Sequence, residues 1–284
     1  MLAQVLNKID EIRAAVTTAR QARKTIGFVP TMGALHEGHA ALIRAARAAT
    51  DFVIVSIFVN PTQFGPKEDF SKYPRTLEAD QKISSDAGAD AIFAPSAVEM
   101  YPERSVTFVE VKELDEMLCG PSRPGHFRGV CTVVLKLFNI VRPDIAIFGA
   151  KDFQQARIIR QMVRDLNVPV EVWVEPTVRE PDGLAMSSRN RYLLPADRAA
   201  APAIYRALQT IRARAGGGEI DVARLEAALN AELATIPGVR LDYARIVDAD
   251  TLQPLARLDR PVVAAVAVFL GTTRLIDNIV ISNF

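Results

Sequence analysis

His36 and His39, three positions apart, are two of only three histidines in a chain of 284 residues. They close the stretch Pro30-Thr31-Met32-Gly33-Ala34-Leu35-His36-Glu37-Gly38-His39, which follows the apolar run Ile26-Gly27-Phe28-Val29 and precedes an alanine-rich segment, residues 40–49. An apolar run, a turn containing Pro and Gly, and a helix-like run read as strand, turn and helix. At such a turn, unsatisfied amide donors and the positive end of the helix dipole favour an anion. A helix starting near Glu37 puts both imidazoles on one side of its first turn, where they act as a pair. Neutral or charged, both rings donate to phosphate oxygens, so the chemistry is that of a phosphate site. Two other readings compete. The zinc helix His-Glu-x-x-His needs its ligands at i and i+4, and here the second histidine comes one position early. A pair of plain surface or capping histidines is the other reading, against which stands the placing of two of three histidines at one phosphate-ready turn.

Further polar groups stand at equivalent turns. Residues 52–59 are almost continuously apolar and β-branched, as in a parallel strand covered on both faces, and end at Asn60-Pro61. Ligands of open α/β sheets bind beyond the carboxyl ends of strands, so Asn60 and Gln63 are placed to share a crevice with the histidines; turn chemistry explains them equally well. Gly149-Ala150-Lys151-Asp152 follows another strand-like run. A lysine near a helix N-terminus opposes the dipole, and a bound anion gives a reason for it, whereas Asp152 serves as an ordinary N-terminal acid. Gln155 lies on the first turn of the helix that follows. Ser187, Ser188 and Arg189 in Met186-Ser187-Ser188-Arg189-Asn190 offer two hydroxyls and a planar five-donor cation, weak evidence alone and a third anion-binding part beside the other two.

The elements that position these groups follow from periodicity. Residues 2–22 predict one amphipathic helix, with Val5, Ile9, Ile12, Val16 and Ala19 at helical spacing. Strands are expected near 26–29, 52–59, 91–94, 144–148 and 170–174, and 106–111 as an edge strand. Helices are expected after the histidine motif, from an N-cap at Thr76 to Ala87 with Gly88 as stop, at 113–118, 130–141 and 153–167. Residues 64–75 read as a loop, either a lid or a plain surface connection, and 122–129 as a basic loop in which His126 is structural and Arg123 and Arg128 have no assigned role. Five strands alternating with helices predict an α/β fold, a Rossmann-like doubly wound parallel sheet. Beyond it, helices near 196–215 and 219–235, split by Gly216-Gly217-Gly218, and strands near 239–247, 261–270 and 274–281 predict a smaller C-terminal α+β lid domain. The division expected is 1–184 and 185–284. No Gly-x-Gly-x-x-Gly follows the first strand, which disfavours a nicotinamide or flavin enzyme.

Composition bounds the rest. The chain is 49% hydrophobic and 24% charged with a formal net charge of +1, so it has no global reason to bind nucleic acid or an anionic membrane. The most apolar run, 262–270, is far short of the roughly 20 residues that span a bilayer. Cys119 and Cys131 have neither metal-type spacing nor a signal peptide before them, which predicts a soluble protein of the reducing cytoplasm without a structural disulfide.

Thr31-Met32-Gly33-Ala34-Leu35-His36-Glu37-Gly38-His39 resembles the signature of the pantoate–β-alanine ligases (pantothenate synthetases), within the wider His-x-Gly-His nucleotidyltransferase superfamily. Similar strings recur in order: Val59-Asn60-Pro61 with Gln63-Phe64, Tyr73-Pro74-Arg75-Thr76, Arg123 to Gly129, Lys151-Asp152-Phe153-Gln154-Gln155, Met186 to Asn190, and Leu275-Ile276-Asp277-Asn278. The resemblance implies a Rossmann-like domain with a small lid, commonly a homodimer, that joins pantoate to β-alanine with ATP, giving pantothenate, AMP and pyrophosphate by way of a pantoyl adenylate. It implies ATP contacts at Met32, Gly33, Ala34, Leu35, His36, Glu37, Gly38 and His39, at Gly149, Ala150, Lys151 and Asp152, and at Val178, Met186, Ser187, Ser188 and Arg189. His39 is the implied acid, with His36, Lys151, Ser187, Ser188 and Arg189 meeting developing charge. Gln63 and Gln155 are the implied pantoate ligands, with Asn60 near the same pocket. Mg²⁺ is expected to arrive with ATP, and no protein metal cage is expected. Ala150 departs from the family's usual Glu, so no carboxylate acts there.

Overall fold

The structure, a computed structural model, describes residues 2–66, 68, 70–102 and 105–284. It divides into two compact units. The first comprises residues 1–115, 123–150 and 155–176; the second comprises 116–122, 151–154 and 177–284.

The first unit is built on a six-stranded parallel sheet: β1 (Gln4–Leu6), β2 (Ile26–Thr31), β3 (Phe52–Ile57), β4 (Ala91–Phe93), β5 (Ile145–Gly149) and β6 (Glu171–Glu175), in the order β1-β4-β3-β2-β5-β6. Its helices are α1 (Ile9–Gln21), α2 (Glu37–Ala49), α3 (Leu77–Asp86), α4 (Ala97–Met100) and α5 (His126–Val141), and most of α6 (Phe153–Asp165). Successive side chains of β2 go to opposite faces. Val29, with Val53, Val55, Ile92 and Ile147, packs against Ala40, Ile43 and Ala46 of α2. Phe28 meets Phe138 of α5 on the other face. Helices therefore cover both faces, which makes the sheet doubly wound and explains its almost unbroken apolar strands. Gly27 is required by the close fit of α2, since a Cβ there would lie 2.3 Å from Thr50 Oγ1. The chain moves outward from β2 to β3 and β4, then returns to place β5 beside β2. The strand order reverses between β2 and β5, the place where open α/β sheets bind ligands.

The second unit carries α7 (Pro195–Ala200), α8 (Ala203–Gly216), α9 (Val222–Ala234) and an antiparallel sheet of β7 (Val239–Asp248), β8 (Val262–Leu270) and β9 (Thr273–Ile281), in the order β7-β8-β9. Leu208, Ile211, Leu225 and Leu229 of the helices form one core with Val262, Ala264, Val266 and Val268 of the central strand.

Three sequence expectations are corrected. The segment 2–22 is not one helix: Gln4–Leu6 forms β1, paired in parallel with Ala91–Phe93, so the sheet has a sixth strand. Three residues are too few for a period-2 signal, and Val5 happens to fall in phase with α1. Residues 106–111 form no strand; Val106 is 75% exposed, and the Val109 amide donates to Thr132 Oγ1 on α5 rather than to a neighbouring strand. The loop expected at 122–129 ends early, because Gly125 (φ +78°) starts α5 and His126 to Gly129 are helical. Of the loop expected at 64–75, Lys67 and Asp69 lie outside the described residues.

Candidate functional site

β2 runs straight into the histidine turn. Thr31 Oγ1 donates to the Ser56 carbonyl at 2.7 Å and accepts the Gly33 amide at 3.1 Å. Gly33 and Ala34 then take left-handed conformations, φ +84° and +53°. Glycine tolerates this and alanine adopts it against strain. Asp80 of α3 holds the turn from beneath: its carboxylate is 1% exposed and accepts the amides of Ala34 (3.0 Å) and Leu35 (2.8 Å) and the Thr76 hydroxyl (3.2 Å). Sequence reasoning passed over Asp80, since an acid in the first turn of a helix is ordinary.

The histidines cap α2 reciprocally. His36 is the N-cap, its Nδ1 accepting the Gly38 amide at 3.2 Å, and His39 Nδ1 accepts the His36 amide at 3.3 Å. An accepting Nδ1 leaves Nε2 as the nitrogen that carries the proton of each neutral ring. The rings lie 4.1 Å apart between centroids. The capping reading and the paired reading are thus one arrangement. Glu37 is exposed and pairs with Arg44.

The loop after β3 is organised just as tightly. Asn60, 1% exposed, donates through Nδ2 to Gln63 Oε1 and to the Gly129 carbonyl, each at 3.2 Å; its Oδ1 accepts the Tyr101 hydroxyl at 3.0 Å. Asn60 therefore acts on the position of Gln63, whose Nε2 donates to Met32 Sδ at 2.8 Å. A second chain reaches the same loop. Arg123 grips Glu68 at 2.6 and 2.8 Å, its Nη1 lies 2.8 Å from His126 Nε2, and His126 Nδ1 lies 2.8 Å from the Gln63 carbonyl. Arginine only donates, so His126 Nε2 accepts and Nδ1–H donates to Gln63. Burial raises the cost of the Glu68 charge, yet the Arg123 guanidinium holds its carboxyl below the usual carboxylate range. His126 is structural, as expected, and Arg123 acquires its role here.

The expected site residues are shared between the two units. Met32 to His39, Asn60, Gln63, Gly149, Ala150 and Gln155 belong to the first; Lys151, Asp152, Val178 and Met186 to Arg189 belong to the second. Gly149 closes β5 beside the switch point and Gln155 is half-buried on the first turn of α6. In the second unit, Lys151 sits in a 3₁₀ turn whose carbonyl accepts Asn278 Nδ2 at 2.9 Å. Gln154 anchors the same turn, accepting the Cys119 amide and donating to the Met117 carbonyl. The Met186 amide donates to the Val178 carbonyl at 3.0 Å, and Ser187 caps the 3₁₀ turn Ser188–Tyr192 by accepting the Arg189 amide. Asn190 fixes this turn to Glu180 and to the Ala185 carbonyl. Ser187, Ser188 and Arg189 are half-buried on a rigid support, an arrangement fit to hold phosphate oxygens.

Known proteins match the chain over nearly its full length. The family model described as pantoate-beta-alanine ligase matches residues 4–280. A pantothenate synthetase of Moorella thermoacetica is 55% identical over 98% of both chains. The crystal structure of pantothenate synthetase from Thermus thermophilus superposes with a TM-score of 0.92 at 48% identity, covering 97% of this chain and 98% of that one. A pantoate-beta-alanine ligase from Francisella tularensis, complexed with beta-gamma ATP and beta-alanine, superposes with a TM-score of 0.80 at 37% identity, covering 98% and 97%.

Proposed function

Since the chain belongs to the pantoate-beta-alanine ligase family, we propose the residue roles by which it does this family's work. The chain is a ligase that condenses pantoate with β-alanine at the expense of ATP, yielding pantothenate, AMP and pyrophosphate through a pantoyl adenylate.

In the first step a pantoate carboxylate oxygen attacks the α-phosphorus and pyrophosphate leaves. Charge growing on the phosphate oxygens is met by the Nε2–H groups of His36 and His39, whose rings are held before the reaction, by Lys151 and by Ser187, Ser188 and Arg189. Residues Met32 to His39, Gly149 to Asp152, and Val178 with Met186 complete the ATP contacts. Gln63 and Gln155 hold pantoate, with Asn60 keeping the Gln63 amide in place. In the second step the β-alanine amine attacks the acyl carbon, AMP leaves and the amine gives up its proton. Holding the reactants in line and keeping water from the mixed anhydride are the protein's remaining contributions. In this reading the proposed pantoate ligands Gln63 and Gln155 lie in the first unit, and the proposed ATP contacts are drawn from both units.

Among the described residues no cluster of three or more His, Cys, Asp or Glu is arranged for a metal. Mg²⁺ enters with the triphosphate, where it supplies charge neutralisation. Both cysteines are free and buried, which supports a reducing cytoplasm, and no helix among the described residues is long and apolar enough to cross a membrane. A homodimer completes the reading.

The observation that carries these roles is the reciprocal histidine cap at the carboxyl end of β2, beside the point where strand order reverses. The test is AMP release with pantoate and β-alanine omitted in turn, together with pantoate-dependent exchange of pyrophosphate into ATP without β-alanine. Release needing both substrates, and exchange needing pantoate alone, are expected. Retention of the nucleotide in the product would make the chain a nucleotidyltransferase instead.

A further inference from the structure

The histidine turn has an unusual support. Its two consecutive left-handed residues include Ala34, for which that conformation is strained, and among the described residues neither the Ala34 nor the Leu35 amide is answered by main chain. Both are answered by one carboxylate brought from α3, 46 and 45 residues away in sequence. A carboxylate so buried is costly unless its oxygens are occupied, and here Oδ2 takes the Ala34 amide while Oδ1 takes the Leu35 amide and the Thr76 hydroxyl. Thr76 stands at the N-cap of α3 without capping the helix through its side chain; its hydroxyl is directed to Asp80 instead. Gly33 lies close on the same side, a Cβ on it falling 3.0 Å from Asp80 Oδ2.

We infer that Asp80 is a positioning residue for the adenylation step: its carboxylate fixes the strained turn through the amides of Ala34 and Leu35, and so sets where His36 and His39 present their Nε2–H groups. The inference rests on the proposed role of the two histidines at the phosphates. It goes beyond that role by placing the control of their geometry on a buried residue outside the proposed ATP and pantoate contacts. Strain at Ala34 is the distinguishing feature. If the carboxylate's task is to hold a conformation that alanine resists, a glycine at 34 takes over part of that task; if the carboxylate merely stabilises α3, it does not.

The experiment compares Asp80→Asn, Ala34→Gly and the double variant with the wild-type enzyme. The carboxamide of Asp80→Asn keeps the shape but offers one acceptor oxygen for the two amides and turns an N–H donor toward the other. Asp80→Asn should lower kcat/KM for ATP about tenfold to a hundredfold, the scale of loss when reacting groups are displaced by an ångström. Pantoate KM should stay near wild type, and the imidazole ¹⁵N–¹H resonances of His36 and His39 should move. Adding Ala34→Gly should return several-fold of the lost activity. Wild-type ATP kinetics in Asp80→Asn, unmoved histidine resonances, or a double variant no better than the single one would each overturn the inference. If Asp80→Asn does not fold, Thr76→Ala removes a single donor from the same carboxylate and should shift the same resonances and raise ATP KM; unmoved resonances there would also overturn it. Absence of pantoate-dependent exchange in the wild-type enzyme would instead sink the ligase roles, while the histidine resonances still decide the positioning.

Discussion

His36 and His39 each use Nδ1 to cap the helix that carries them, which puts the proton of each neutral ring on Nε2. A ring tied down in this way is aligned before substrate arrives, which is what electrostatic stabilisation of a transition state requires. The main chain of Lys151 is held at its carbonyl by Asn278. His39→Ala and Lys151→Ala should each lower kcat by about 10²–10³, or roughly 3–4 kcal/mol of transition-state stabilisation. Both proteins should melt near the wild-type temperature, His39→Ala losing about 1 kcal/mol with its share of the cap. Steady-state turnover with matched thermal melts checks this, and near-wild-type turnover in both would refute the assignment.

At the scale of elements, the loop after β3 depends on how closely α5 approaches it. Gly129 lets the helix reach the loop backbone: a Cβ there would stand 2.3 Å from the Thr62 carbonyl oxygen and 2.8 Å from Gln63 Cα, so the loop would have to move. Its carbonyl also receives Asn60 Nδ2, so the glycine sits inside the network that presents Gln63. Gly129→Ala should therefore cost about 1–3 kcal/mol of stability, as overpacking does. It should also raise pantoate KM while leaving ATP KM little changed. Equal effects on both constants would show that the loop is not specific to pantoate. Gly129 was visible in the sequence as part of a matching string, but the reason for it was not, because the clash is with a distant segment, Thr62 and Gln63.

For the whole molecule, the charged surface predicts acid sensitivity. Backbone hydrogen bonding from Thr25 lowers Asp51, the Ile9 amide lowers Glu99, and Arg198 and Arg260 lower Asp182 and Asp259. Burial raises Asp248 and Glu68, but amide donors at Asp250 and Thr251, and Arg123 respectively, bring both to net values below the usual. A carboxyl whose folded pKa is depressed stabilises the fold fully above its unfolded value near 4 and loses that contribution as pH falls through the folded value. Thermal stability should thus be level from neutral pH to about 5 and fall progressively below about 4. Melting temperatures measured from neutral pH down to about 3 check this, and Glu68→Gln should flatten part of the acid slope; a pH-independent melting temperature would contradict it.

The sequence alone determined most of the architecture, because long apolar runs and helical periodicity are local signals: the buried parallel strands, the helix beginning at Glu37 and the antiparallel C-terminal sheet all stood where patterning placed them. It also singled out His36, His39, Lys151 and Ser187 to Arg189 as candidates, since residue type and turn position are local too. What tertiary structure decided depends on partners far away in the chain. β1 is three residues long and exists because β4 pairs with it. Residues 106–111 form no strand, and the Val109 amide among them is answered by Thr132 on a helix. Asp80, Arg123 and His126 look unexceptional in sequence and become determinants of the site only when folding carries them to amides and carbonyls of other segments, where buried polar groups must find partners.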